Sequence, residues 1–174
     1  LDTGYHFAET MFTRNFVELA YPIHLIDVRP GQTVAQQDAQ HGPRLHERRP
    51  DECCRLRKVE PLRQALGGYD AWVTAVRRDE GPTRAGTPGV TWDEAFGLVK
   101  VNPLARWTQD DVDAYVERRG ILLNPLVPQG YLSIGCAPCT RAVAPGNDPR
   151  SGRWSGFDKT ECGLHPATRG GGTR

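Results

Sequence analysis

Residues 9–28 read ETMFTRNFVELAYPIHLIDV, and two different periods meet inside them. From Glu9 to Ala20 the apolar Phe12, Phe16, Val17 and Leu19 recur with polar residues between them, an imperfect helical stripe that Pro22 closes. Ile23 to Val28 then alternates like a strand, so the stretch predicts a helix followed by a strand. The same alternation continues outward. Thr33 to Gln40 predicts a short helix capped by Thr33 and ended by His41-Gly42-Pro43. Asp51 to Leu66 predicts one helix, with Cys53 and Cys54 in its first turn, and a second helix starting near Pro61. Ala71 to Val76 and Leu98 to Val101 are strand candidates, separated by a loop marked by Gly81, Pro82, Gly86, Pro88 and Gly89. Thr108 with Asp111 forms a capping box for a helix whose face carries Val112, Tyr115 and Val116, and Gly120 follows its last turn. Leu1 to Gly4 reads as a strand end entering a turn. Beyond Asn124 proline, glycine and arginine dominate, giving a loop-rich extension that ends in a flexible tail, Gly170 to Arg174. Helices alternating with short apolar strands predict an α/β fold on a parallel sheet, with the loops after Val28, Val76 and Val101 converging at the strand carboxyl ends. No internal repeat is present.

The chain has 174 residues, 38% hydrophobic and 25% charged, which suits a soluble globular protein with a real core. No apolar run approaches the length of a membrane span and no signal-like segment opens the sequence, so a cytoplasmic protein with no membrane partner is expected. The formal net charge of +1 lacks the field of a general nucleic-acid binder.

All five cysteines fall in short clusters: Cys53-Cys54, Cys136-Ala137-Pro138-Cys139, and Cys162 within Glu161-Cys162-Gly163-Leu164-His165. An odd count with vicinal spacing makes a poor disulfide framework, so thiolates held for a metal centre and for chemistry are the better reading. Two cysteine pairs supply four thiolates, a ligand set for zinc or for an iron–sulfur cluster. Around one zinc the sulfurs stand ~3.8 Å apart, awkward for neighbouring residues, whereas a cubane gives each cysteine its own iron. The spacing favours a cluster, but zinc and no metal at all stay open.

Cys162 is left without a partner, with Lys159 before it and His165 after it, and nearby positive charge raises the thiolate fraction that a nucleophile needs. A lone cysteine is more often inert, but an exposed, flexible setting, expected here from the loop-rich sequence, improves the odds of reactivity. Arg77, Arg78, Arg84, Arg141, Arg150 and Arg153 also lie in predicted loops. Guanidinium groups suit phosphate or sulfate oxyanions, although loop arginines are commonly just solvated surface.

Seven segments in order carry a family resemblance: Leu1-Asp2-Thr3-Gly4; Glu52-Cys53-Cys54-Arg55 through Lys58; Arg77-Arg78-Asp79 with Thr83-Arg84; Lys100-Val101-Asn102-Pro103-Leu104; Gly130-Tyr131 through Gly135-Cys136-Ala137-Pro138-Cys139-Thr140; Gly152-Arg153-Trp154; and Glu161 to His165. Together they closely resemble the iron–sulfur type of assimilatory adenylylsulfate (adenosine 5′-phosphosulfate) reductase, in the PAPS/APS reductase family. The resemblance implies a [4Fe-4S] cluster on Cys53, Cys54, Cys136 and Cys139, and Cys162 as the catalytic thiol. It implies reduction of adenylylsulfate to sulfite and AMP with thioredoxin as partner, through an S-sulfocysteine. Leu1, Asp2, Thr3 and Gly4 would lie against the adenosine, Arg84, Arg150 and Arg153 would hold the phosphosulfate, and Lys58 would connect the cluster region to its charge. Family members carry a PP-loop-like phosphate-binding loop before the Leu-Asp-Thr-Gly motif, where these residues begin. The expected fold is therefore an adenine-nucleotide sheet truncated at its N terminus, with residues 1–140 as the nucleotide and cluster domain and residues 141–174 as a mobile segment bearing Cys162. Ala75-Val76 departs from the glycine expected before the double arginine. The competing readings are a reductase of the 3′-phosphorylated nucleotide and a non-catalytic metal-binding fragment.

Overall fold

The computed structural model describes residues 1–165, so the tail expected over Gly170–Arg174 lies outside the described residues. The chain forms two compact units, one from Leu1–Ala65 with Leu123–His165 and one from Leu66–Leu122. These units divide at 65/66 and 122/123, whereas the sequence suggested a boundary near 140.

In the first unit, α1 (Ala8–Ala20) and α2 (Val34–His41) form where the apolar stripe and the Thr33 cap predict them. The Thr33 hydroxyl accepts from Gln36 N at 3.2 Å while the Gln36 side chain accepts from Thr33 N at 2.8 Å, a complete capping box. The stripe of α1 is not covered by the described residues: Leu19 is 88% exposed and Phe12 is also open. The strand expected over Ile23–Val28 does not form. The stretch has no regular secondary structure; its Val28 carbonyl accepts from Asp2 N at 2.8 Å, but among the described residues no neighbouring strand completes a ladder. Leu1–Gly4 is likewise irregular rather than a strand end, although the expected turn is present, with Gly4 at φ 72° and its N–H donating to the Asp2 carboxylate at 2.9 Å.

After the single-turn α3 (Leu45–Arg48), the chain runs without a break through α4 (Pro50–Cys54), a π-helical turn (Arg55–Val59) and α5 (Glu60–Leu66). Pro61 therefore does not start a new helix, contrary to the sequence expectation. A proline lacks its own N–H and crowds the carbonyl four residues back. Here the preceding turn is widened, with Glu60 N bonding Arg55 O five residues back, and the helical path absorbs the proline.

The second unit is built on three strands, β1 (Ala71–Val73), β2 (Val90–Asp93) and β3 (Leu98–Val101), in the order β1-β3-β2. β1 pairs with β3 in parallel and β2 pairs with β3 antiparallel, so the sheet is mixed rather than purely parallel. β2 occupies a stretch that the glycine- and proline-rich surroundings disguised as loop. Its Val90-Thr91-Trp92 run is nonetheless strand-forming. Leu98 and Lys100 of β3 are buried, with Lys100 reaching Asp93 at 3.6 Å and the Trp72 ring at 4.9 Å, while Val73, Val90 and Trp92 stay exposed. α6 (Gln109–Arg119) starts at the predicted Thr108–Asp111 box and ends at Gly120 with φ 60°.

Asn102, next after β3, fixes the approach to this sheet. Its side chain is buried, accepts from the Thr74 hydroxyl and donates to Pro88 O at 2.9 Å. Asn102→Ala leaves a buried hydroxyl and a carbonyl unpaired, and urea denaturation is expected to show a loss of about 1–3 kcal/mol.

Candidate functional site

The helical path from Pro50 explains how adjacent cysteines can serve one centre. Neighbouring side chains leave a helix about 100° apart, so Cys53 and Cys54 point to different parts of one hollow. Both are buried. Four residues on, Arg57 follows Cys53 and Lys58 follows Cys54, and the wide π turn buries both cations as well.

The second cysteine pair sits on a tight turn, Ala137–Cys139, in which Cys139 N donates to Cys136 O at 3.0 Å. The buried Thr140 hydroxyl folds this loop, donating to Cys136 O at 2.9 Å and accepting from Gly135 N at 3.2 Å. Ala137 N donates to Tyr5 O at 2.7 Å, and the Thr3 hydroxyl lies 3.3 Å from Cys136 Sγ. Arg57 closes the ring: it donates to Thr3 O and, at 3.1 Å, to the Gln37 side-chain oxygen, and its guanidinium lies 5.2 Å from the centre of the Tyr5 ring.

All four cysteines line one cavity, together with Tyr5, His46, Arg57 and Lys58. Burial, followed by the charges of the neighbouring thiols, pushes the Cys53 pKa up to about 12 and that of Cys139 up to about 11. Cys54 is raised by burial as well, against the pull of Lys58 and Lys159. Burial lowers Lys58, but the charges of Cys136, Cys54 and Cys162 outweigh it and the net shift is upward. The sulfurs of Cys53, Cys54 and Cys139, which burial keeps from ionising when alone, fit a positively charged inorganic group that would hold them as thiolates. Among the described residues no three His, Cys, Asp or Glu side chains gather as one metal ion requires. Four cysteine sulfurs around one hollow are a donor set that both zinc and a polynuclear cluster use. His46, on the cavity wall, also has a buried Nδ1 with no hydrogen-bond partner.

The remaining sequence candidates divide between the units. Cys162 is half-buried, in a segment whose Gly163 (φ 82°) lies against Val59, and its charge is felt by both Lys58 and Cys54. Arg153 lies over the Trp154 ring at 4.5 Å and donates to the Ser133 hydroxyl at 3.4 Å. Arg150 pairs with Glu161 at 3.1 Å and donates to Thr160 O at 2.8 Å. Asp2 pairs with Arg29 at 3.2 Å, and Leu1 O lies 2.9 Å from His6 Nε2. Arg84 belongs to the second unit, where it pairs with Glu80 at 2.7 Å. Sequence reading missed Arg57, whose signal was its spacing of four from Cys53, and it did not anticipate Thr3 beside a cysteine sulfur.

The loop that carries Arg153 depends on a glycine. Gly152 accepts from Arg141 N at 2.9 Å in the bridge joining Thr140 to Arg153, and a Cβ there would stand 2.2 Å from Arg141 O. Backbone cannot yield as a side chain tip can. Gly152→Ala is therefore expected to lower the thermal midpoint by several degrees, and differential scanning calorimetry should show it.

A family model, the phosphoadenosine phosphosulfate reductase domain, matches residues 1–142. The adenosine 5′-phosphosulfate reductase of Mycolicibacterium smegmatis is 62% identical over 165 residues, covering 95% of this chain and 70% of that protein. The protein of the same name from Streptomyces coelicolor is 59% identical over 165 residues, with 95% of this chain and 70% of the relative covered. Among solved structures, the phosphoadenylyl-sulfate (PAPS) reductase of Candida auris in its phosphate complex superposes with a TM-score of 0.69 at 30% identity, over 79% of this chain and 67% of that one. With most of its length matched by the family and near 60% identity to these reductases, the chain belongs to the phosphoadenosine phosphosulfate reductase domain family.

Proposed function

We propose that the chain is an adenylylsulfate reductase of sulfate assimilation, releasing sulfite and AMP with thioredoxin as the reductant. The observation that carries the reading is the joint presence, in one compact unit, of a four-cysteine cavity, a buried Lys58 and the separate thiol Cys162, in a chain about 60% identical to enzymes named for that reaction. The neighbouring structure named for the 3′-phosphorylated nucleotide keeps that substrate as the second reading.

In the proposed reaction the Cys162 thiolate attacks the sulfonate sulfur, the bond from sulfur to the bridging oxygen breaks, and AMP leaves with that electron pair. Arg150 and Arg153 neutralise the phosphosulfate oxygens as charge builds on the leaving phosphate. The nucleotide would lie along Leu1, Asp2, Thr3 and Gly4. A thiolate of thioredoxin then attacks the Cys162 sulfur, sulfite departs with the electrons of the S–S bond, and the second thioredoxin thiol resolves the mixed disulfide. Two thiols become one disulfide while sulfur is reduced by two electrons.

Cys53, Cys54, Cys136 and Cys139 would hold a [4Fe-4S] cluster whose contribution is structural and electrostatic, fixing α4 against the Cys136 loop. Lys58 would then carry positive charge between those sulfurs and the oxyanion. The segment bearing Cys162 must also leave its seat for a protein partner to reach the sulfur, which is the role we assign to movement of the described part of that segment, up to residue 165. Cytoplasmic location follows the same reading, since thioredoxin chemistry needs a reducing compartment; among the described residues no helix is long and apolar enough to cross a membrane.

Cys162→Ser is expected to retain iron and nucleotide binding yet form no sulfonate adduct, with sulfite release from labelled adenylylsulfate reduced at least about a thousandfold. Cys136→Ser is expected to lose iron and acid-labile sulfide, measured on freshly purified protein. Turnover unaffected by Cys162→Ser, or a preference for the 3′-phosphorylated nucleotide, rejects the assignment.

A further inference from the structure

The segment that carries Cys162 is tied down on the N-terminal side of the thiol by two ion pairs of opposite polarity. Lys159 reaches across 108 positions of sequence to the Asp51 carboxylate, at the start of α4. Its ammonium also lies 5.4 Å from the centre of the Trp154 ring and acts on the Cys54 thiol. One residue before Cys162, Glu161 is held by Arg150 at 3.1 Å, and Thr160 O accepts from the same guanidinium at 2.8 Å.

We propose that Lys159 and Asp51 are positioning residues whose ion pair holds the Cys162 thiol beside the cysteine cavity, and that opening this pair exposes the thiol to its dithiol protein reductant. The inference rests on the reaction proposed above, which requires Cys162 to meet two partners in turn. Three residues of extended chain span at most about 10 Å, so an anchored Lys159 confines Cys162 to that radius. The Arg150–Glu161 link has a different fate. An incoming phosphosulfate competes with the Glu161 carboxylate for the same guanidinium, leaving the lysine clasp as the one that substrate does not displace.

The two ends of the clasp are unlike. The Lys159 side chain is 7% exposed, whereas that of Asp51 is 88% exposed. Its buried end gives the lysine a defined seat against Trp154 and Cys54, while its wet end lets solvent and salt compete for the carboxylate. Pairs with an exposed partner shift an equilibrium by about two- to fivefold. A clasp of that strength keeps the thiol docked on average and still releases it readily.

The test is the rate at which iodoacetamide alkylates Cys162 in the iron-loaded chain, followed by peptide mass spectrometry, with iron content confirming each variant. Asp51→Asn is expected to speed alkylation about two- to fivefold, Asp51→Glu to keep the slow rate, and 0.5 M sodium chloride to speed the unmodified chain towards the Asp51→Asn value. In a Lys159→Met background, Asp51→Asn should add nothing. Equal rates for the unmodified chain and Asp51→Asn, or additive effects in the double variant, overturn the clasp. Sulfonate transfer from adenylylsulfate is read separately on the same peptide. Its absence with the alkylation pattern intact rejects the reaction and keeps the clasp; its presence with an unresponsive alkylation rate rejects the clasp alone.

Discussion

The buried guanidinium of Arg57 is the constraint around which the cysteine-bearing unit is organised. It is 3% exposed and makes no ion pair with a carboxylate among the described residues. An unpaired charge in a dry interior is costly, so something else must receive it. Neutral acceptors do part of this: Thr3 O, the Gln37 amide oxygen and the face of Tyr5. Thr3 and Tyr5 belong to the N-terminal stretch and Gln37 to α2, and satisfying one cation therefore brings that stretch, α2 and the π turn together. The rest of the compensation is sulfur. Arg57 and Lys58 both face a cavity walled by four cysteines, and thiolates held there would supply the negative charge that the two buried cations lack.

That electrostatic closure explains the local helix geometry. In a regular α-helix a proline at position 61 would demand relief near residue 57, in the stretch that must turn both cations inward. The π turn over Arg55–Val59 answers both requirements at once: it makes room for Pro61, and it places Arg57 and Lys58 in the wall that Cys53 and Cys54 begin. π-bulges gather at functional sites for this reason, since the extra residue per turn re-aims side chains without ending the helix. Arg55, in the same turn, stays outside and pairs with Glu52 at 2.8 Å.

Legibility in the sequence followed the range of the interactions involved. The Thr33 and Thr108 caps announce themselves because their partners are three residues away, and β3 was readable from its own run of apolar residues. β2 was hidden by flanking glycine and proline. Ile23–Val28 failed in the other direction, having a strand's composition but no neighbour to pair with, because a strand is stabilised by its partner as much as by its own residues. At the site, the cysteines were visible as a spacing pattern. Arg57 was not, since an arginine in a basic helix looks like solvated surface until a residue 54 positions away is brought beside it, and Lys159 was legible only as charge near Cys162, its partner Asp51 lying 108 positions away.

Charge also separates the five cysteines that share one unit into two groups, matching the two kinds of work proposed for them. Around the cavity, burial and mutual repulsion hold Cys53, Cys54 and Cys139 in the protonated form unless a cationic group takes them up. Such thiols are poor nucleophiles in their own right, because nucleophilicity at sulfur follows the thiolate. Cys162 stands apart from that wall in a segment set by ion pairs, Arg150–Glu161 and the link from Lys159 to Asp51 of α4, rather than by burial of its own thiol. It lies near enough for Lys58 to sense its charge, yet its attachment to the chain is of a kind that water and salt can loosen. Cavity cysteines are thus fixed by burial and the fifth by reversible electrostatics, a difference in the strength of attachment that suits four sulfurs to holding a group in place and one to changing partners.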